Sequence, residues 1–143
     1  MRKELRAVID TNIIISAVIG KSTTLINIYN CFVDNLFTPI FSPHLQEEIL
    51  DVIKRPHIRK YFRAKEINKF KKLIKADSIL VIPSNKLSLC RDSSDNFILE
   101  AAVEAKADFI VTGDKDLLSL QKSFGIPIVN AFQFSKILNK LKK

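Results

Sequence analysis

Four carboxylates stand where apolar runs end or helical patterns begin: Asp10, Glu48, Asp95 and Asp114. In AVIDTN and FIVTGDKD the apolar run stops abruptly at an acid flanked by Thr, Asn or Gly. Open parallel α/β sheets bind ligands outside the carboxyl ends of their strands. Acids delivered there from distant parts of a chain converge into one site. Converging carboxylates repel one another unless a positive charge lies between them, and the natural candidate is a divalent cation. Hard oxygen ligands suit Mg2+ or Mn2+. Asp92 and Asp116 are close in sequence to Asp95 and Asp114 and form a candidate outer rank of ligands.

Each acid could also play an ordinary structural part. Asp10 or Asp95 can cap a helix, Asp114 can form a turn, and Asp116 can cap the helix that follows. Glu47 and Glu48 can pair with bases along an exposed helix. The combination is more informative than its members, because a solvated acid need not follow a buried strand twice.

The elements that must position these acids can be placed by pattern. Leu5–Ile9 reads as a short buried strand, followed by the turn and capping residues Asp10-Thr11-Asn12. Ile13–Val18 and Thr23–Val33 read as helices separated near Gly20. Phe37–Phe41 reads as a second strand, weakened by Pro39. Ser42-Pro43 starts a helix, with Ser as N-cap and Pro at the first position. That helix runs to about Lys54 and stops before Pro56. Ala64–Ala76 is predicted helical and Ile79–Ile82 a strand ending at Pro83. Ser93 or Ser94 caps a helix over Asp95–Ala105. Phe109–Thr112 is the clearest buried strand. Asp116–Leu120 reads as a short helix, Ile128–Val129 as a last strand and Ala131–Leu141 as a final helix. Strands alternating with helices imply a parallel sheet covered on both faces.

Composition narrows the function classes. The 143 residues suggest one domain, 1–143, and 47% hydrophobic content is enough for a sizeable core. No apolar run approaches the roughly 20 residues that cross a bilayer. MRKELRAVID lacks the apolar stretch and cleavage site of a secretory signal. Cys31 and Cys90 are too few for a disulfide framework, so a cytoplasmic protein is the default expectation. The net charge is +8 and the pI about 9.6. Ten Lys or Arg residues and one acid, Glu66, fall between Lys54 and Lys75, with Tyr61, Phe62 and Phe70 interleaved. A second basic run comprises Lys136, Lys140, Lys142 and Lys143. Such a balance favours polyanion partners, although a basic helix face is as often simply solvated.

Competing motifs are weak. No Gly-x-Gly-x-x-Gly turn occurs, and Gly20-Lys21-Ser22 lacks the earlier glycine of a phosphate-binding loop, since that position is Ile15. Asn12 stands where a haloacid-dehalogenase-type phosphatase needs a second Asp, and a receiver-like domain needs an acidic pair near the first strand. His44 and His57 are isolated and read as surface or partly buried polar residues.

VIDTN, SPHLQEEILDVIKRP, RDSSDNFILEAAVEAKADFIVTGDKDLL and PIVNAFQF, in this order and spacing, resemble the PIN-domain family, in particular the VapC-like toxin branch of toxin–antitoxin systems. The resemblance spans nearly the whole chain. It implies a three-layer α/β/α sandwich with a central, mostly parallel sheet, and a metal-dependent nuclease. The family's acids carry over onto Asp10, Glu48, Asp95 and Asp114, with Asp92 and Asp116 matching additional acids. Thr11, Asn12, Thr112 and Gly113 match the polar or small neighbours of the site. Glu48 is preferred to Glu47 because Ile49 follows it. The expected activity is hydrolysis of RNA with Mg2+ or Mn2+ held by these acids. Lys54, Arg55, Arg59, Lys60 and Arg63 would hold the phosphate backbone, and Tyr61 or Phe62 would stack a base. The resemblance also implies a homodimer and a small antitoxin. The contrasting expectation is a non-catalytic RNA- or protein-binding module on the same fold.

Overall fold

The structure is a computed structural model that describes residues 4–142. Lys143 of the second basic run, and Met1–Lys3 of the amino-terminal stretch, lie outside the described residues. Among the described residues five strands form one sheet in the order β3-β2-β1-β4-β5, every neighbouring pair parallel. They are β1 (Arg6–Ile9), β2 (Thr38–Phe41), β3 (Ile79–Leu80), β4 (Phe109–Val111) and β5 (Ile128–Val129). Ala7, Val8 and Ile9 are consecutive and all buried. Successive side chains of a strand point to opposite faces, so both faces of the sheet are covered.

Helices α1 (Thr11–Ile19) and α2 (Thr23–Val33) connect β1 to β2. Gly20 ends α1 at φ 77°, a left-handed conformation that only glycine adopts freely, and the chain bends by 97° into α2. Helices α3 (Pro43–Val52), α4 (Pro56–Arg59) and α5 (Ala64–Ala76) follow β2, and α6 (Ser93–Ala105) joins β3 to β4. Helix α7 (Lys115–Leu118) precedes β5 and α8 (Ala131–Leu141) follows it. The β1-to-β2 and β3-to-β4 crossovers run in opposite directions across the sheet. With right-handed crossovers they cover opposite faces. Accordingly α6 packs on β1, β2 and β4, whereas α2 packs with α1 and α8. Phe134 of α8 meets Phe37 and Phe109 edge-on or tilted, closing that second layer. The result is the three-layer α/β/α sandwich, with a sheet that is wholly parallel.

Several boundaries differ from the sequence pattern. Asp92, not Ser93 or Ser94, caps α6, its Oδ1 accepting the Ser94 N–H at 2.9 Å. The strand expected over Ile79–Ile82 is only two residues long, although the Val81 N–H still reaches Phe41. Helix α7 begins at Lys115 rather than Asp116 and is capped by Asp114. Helix α4 has no counterpart in the pattern; Pro56 occupies its first turn. Pro39 is tolerated in an interior strand for a local reason. The Thr38 N–H bonds to β1, so Pro39 turns towards β3, which begins only opposite Ile40. No N–H is required there.

The sheet order reverses between β1 and β4, and their carboxyl ends form a topological switch point, where open α/β sheets place ligands. Among the described residues no single helix is long and apolar enough to cross a bilayer.

Candidate active site

Asp10 follows the last residue of β1, and its own N–H extends the ladder by bonding the Val111 carbonyl at 2.9 Å. Its Oδ1 accepts the Asn12 N–H at 3.0 Å and caps α1. Its Oδ2 accepts the Thr112 hydroxyl at 2.9 Å. Thr112 is wholly buried and also accepts the Asp114 N–H at 3.1 Å. One hydroxyl therefore locks the acids at the ends of two adjacent strands to each other. Asp114 Oδ1 takes the N–H groups of Asp116 and Leu117 at 2.8 and 3.4 Å. Asp10, Asp92 and Asp114 thus all cap helices. The free N–H groups and dipole of a helix N-terminus stabilise a carboxylate, so capping is what steadies these acids beside one another.

Asp95 is the exception. It sits at the third position of α6, is 6% exposed, and its Oδ2 is buried without a hydrogen-bond partner. Burial, followed by the charges of Asp114, Asp92, Asp10 and Asp116, pushes its carboxyl up from 3.8 to about 6. Glu48 comes from the second turn of α3, which lies beside both α1 and α6. The buried Ser42 caps that helix through the Leu45 N–H, and the fully buried Ile49 anchors it.

A hollow of about 210 Å3 is lined by Asp10, Glu48, Asp92, Asp95 and Asp114, together with Thr11, Asn12, Ser94 and Ile98. Among the described residues no Lys or Arg lines it. Glu47 is exposed and lines a neighbouring hollow with His44, Glu48 and Asp51. Asp116 is exposed, yet it can bring an oxygen within 4.8 Å of oxygens of both Asp95 and Asp114. Gly113 is exposed at the edge of the site, and a Cβ there would meet nothing within 4 Å. The basic residues Lys54, Arg55, Arg59, Lys60 and Arg63 are all exposed, on α4 and the segments flanking it.

Oxygen donors alone, an orphaned buried carboxylate oxygen and a carboxyl held abnormally basic fit a hard divalent cation. Burial, then the charges of Asp95, Asp116, Asp114 and Asp92, raise the Cys90 thiol above its ordinary value, and Cys90 is not among the described residues that line the hollow.

Three supporting residues escaped the sequence pattern. Asn96 accepts the Cys90 N–H at 2.9 Å and donates to the Cys90 carbonyl at 3.1 Å, pinning the approach to Asp92 against α6. His44 stacks on Phe97, with centroids 3.6 Å apart and planes 18° apart, and its Nε2 lies 3.9 Å from Glu48. The His44–Glu48 spacing of one helical turn was visible in the sequence; the Phe97 partner, from another helix, was not.

Residues 6–116 match the PIN domain. The chain belongs to the PIN-domain family. The matched stretch runs from β1 to Asp116 and includes every acid of the hollow; β5 and α8 lie beyond it. An uncharacterized protein of Methanocaldococcus jannaschii is 34% identical over 119 residues, 82% of this chain and 76% of its own length. PIN domains are generally nucleases and typically use divalent metal ions. In this PIN domain the acids of the hollow lie at the sheet's switch point.

Proposed function

We propose that this PIN domain is a ribonuclease that hydrolyses RNA phosphodiester bonds with Mg2+ or Mn2+. The observation that carries the reading is Asp95, whose buried Oδ2 is orphaned, in a hollow lined by four other acids. Asp10, Glu48, Asp95 and Asp114 would hold the metal, with Asp92 and Asp116 as outer ligands. When bound, such an ion supplies an activated water and stabilises the leaving oxygen. The protein's residues then have defined tasks. Thr112 and the Asn12 N–H fix the rotamer of Asp10. The first turn of α7 fixes Asp114. Helix α3 brings Glu48 into the hollow, and Thr11 and Asn12 line it beside the acids. No carboxylate need act as nucleophile.

The chain's positive charge supports a nucleic-acid substrate. Lys54, Arg55, Arg59, Lys60 and Arg63 follow the helix that carries Glu48 and would grip the backbone near the hollow. Tyr61, exposed with the Lys60 ammonium 5.3 Å from its ring centroid, is better placed to meet a base than the half-buried Phe62. By its likeness to VapC-like proteins, we further assign it as the toxin of a toxin–antitoxin pair. It would act in the cytoplasm as a homodimer, with a small antitoxin covering the acidic hollow through an Arg or Lys. A neighbouring short reading frame whose product binds the protein and suppresses cleavage is the check on that assignment.

The central experiment compares wild type with Asp10→Asn on RNA in Mn2+ or Mg2+. Cleavage should fall at least a hundredfold in the variant, roughly the loss of 2.7 kcal/mol or more of transition-state stabilisation, with folding intact by circular dichroism. Undiminished cleavage by Asp10→Asn removes Asp10 from the mechanism. RNA binding without cleavage in either metal makes the protein a binding module.

A further inference from the structure

A second and larger hollow, about 670 Å3, opens on the other side of Asp10 and Asp114. Its volume lies within the roughly 300–1,000 Å3 of small-ligand sites. Its walls come from α1, from the starts of α2 and α8, and from the turn after β4. Apart from Asp10 and Asp114 the lining carries no charge. Instead Asn12, Ser16, Thr24 and Asn130 face it. Among the described residues, the first three side chains make no hydrogen bond within the protein, and Asn130 uses only its Oδ1, to cap α8. The same wall presents Phe132, 57% exposed, with the Lys136 ammonium 4.7 Å from its ring centroid. A large aromatic ring left in solvent beside Asn12, Ser16 and Thr24, whose side chains make no hydrogen bond among the described residues, is not explained by packing or capping.

We propose that this hollow is a nucleotide subsite for single-stranded RNA, taking the residue next to the phosphate that a metal at Asp10 and Asp114 would hold. The inference rests on the ribonuclease reading and deepens it. The base stacks on Phe132, since every base has an apolar π-face. Neutral amides and hydroxyls both donate and accept, which suits base edges and ribose hydroxyls rather than phosphate. The Lys136 ammonium lies over one face of the ring, which leaves the other face for the base and sets a cation where the next phosphate of the strand would pass. Phe132 and Lys136 lie on α8, beyond residues 6–116 matched to the family.

The test reads binding without turnover. A fluorescein-labelled, nuclease-resistant phosphorothioate RNA heptamer, and such heptamers with an abasic nucleotide scanned through each position, are titrated with the full chain in Mn2+, and anisotropy is followed. Phe132→Ala should weaken binding of the intact heptamer by roughly 5- to 150-fold, and Phe132→Tyr should restore it. One abasic position should weaken binding to wild type by a similar factor and leave Phe132→Ala nearly indifferent. Equal affinities of wild type and Phe132→Ala, the same abasic penalties in both proteins, or no binding of the heptamer by wild type overturn the subsite. Phe132 is exposed at the second position of α8, so an unchanged melting temperature checks the fold; the abasic scan of wild type needs no variant. Because no cleavage is measured, equal affinities or equal abasic penalties leave the ribonuclease reading standing, whereas no binding of the heptamer counts against both. Intact Phe132 discrimination in a protein that cuts no RNA would remove that reading alone.

Discussion

Asp95 and Glu48 reach the acidic hollow under opposite physical conditions, and each makes a distinct prediction. Asp95 is buried with one oxygen orphaned, and its carboxyl is raised to about 6. An acid whose folded value exceeds its unfolded value binds its proton more tightly when folded. Its favourable contribution is complete below about pH 4 and is lost as pH rises through about 6. Two units correspond to about 3 kcal/mol. In EDTA, Asp95→Asn should therefore be more stable to urea than wild type at pH 7.5, by up to that amount, and the two should converge at pH 4. Equal midpoints at pH 7.5 would show that Asp95 is not held under strain. Glu48 is half-buried in the hollow whereas Glu47 is exposed beside it. Glu48→Gln should lower cleavage at least tenfold, and Glu47→Gln less than threefold. The reverse order would move the ligand to Glu47. Asp10 and Asp114 were legible in the sequence because burying a strand right up to a carboxylate is costly unless that carboxylate opens onto a site. The bridging role of Thr112 was not, because a threonine after a strand looks the same whether its hydroxyl meets solvent or a carboxylate.

At the scale of elements, legibility followed period and punctuation. Thr23–Val33, Ala64–Ala76 and Ala131–Leu141 coincide with α2, α5 and α8, each having an apolar face and, in two of them, a polar side-chain cap. Four-residue α4 has no room for a period, and Asp92, Ser93 and Ser94 are equivalent caps until tertiary packing chooses one. The basic residues on and around α4 make the element's own prediction. If Arg59 and Lys60 each hold a phosphate of single-stranded RNA, replacing both with Ala should flatten the plot of log affinity against log salt by about 1.4. An unchanged slope would mean that they form a solvated face and that the backbone is gripped elsewhere.

The whole molecule is electrically divided: a chain of net charge +8 carries a hollow lined by five acids and no base. The positive surface would draw a polyanion in at long range, but the last few ångströms would bring phosphate against carboxylates. A bound cation would offset that repulsion and offer the phosphate a ligand position, so on the proposed function metal and RNA should bind cooperatively. By linkage the coupling is reciprocal: the factor by which Mn2+ tightens RNA equals the factor by which RNA tightens Mn2+. The same cation relieves the repulsion around Asp95, and at 100 times its Kd it should stabilise the fold by about 2.7 kcal/mol. A nuclease-resistant phosphorothioate RNA allows both affinities to be measured at equilibrium. We expect Mn2+ to tighten that RNA by roughly 5- to 150-fold, the usual range of site-to-site coupling, and Asp10→Asn to reduce the effect. If millimolar Mn2+ left both the RNA affinity and the melting temperature unchanged, the acids would not form a preformed cation site, and the charge division would have to serve a basic partner in the hollow instead.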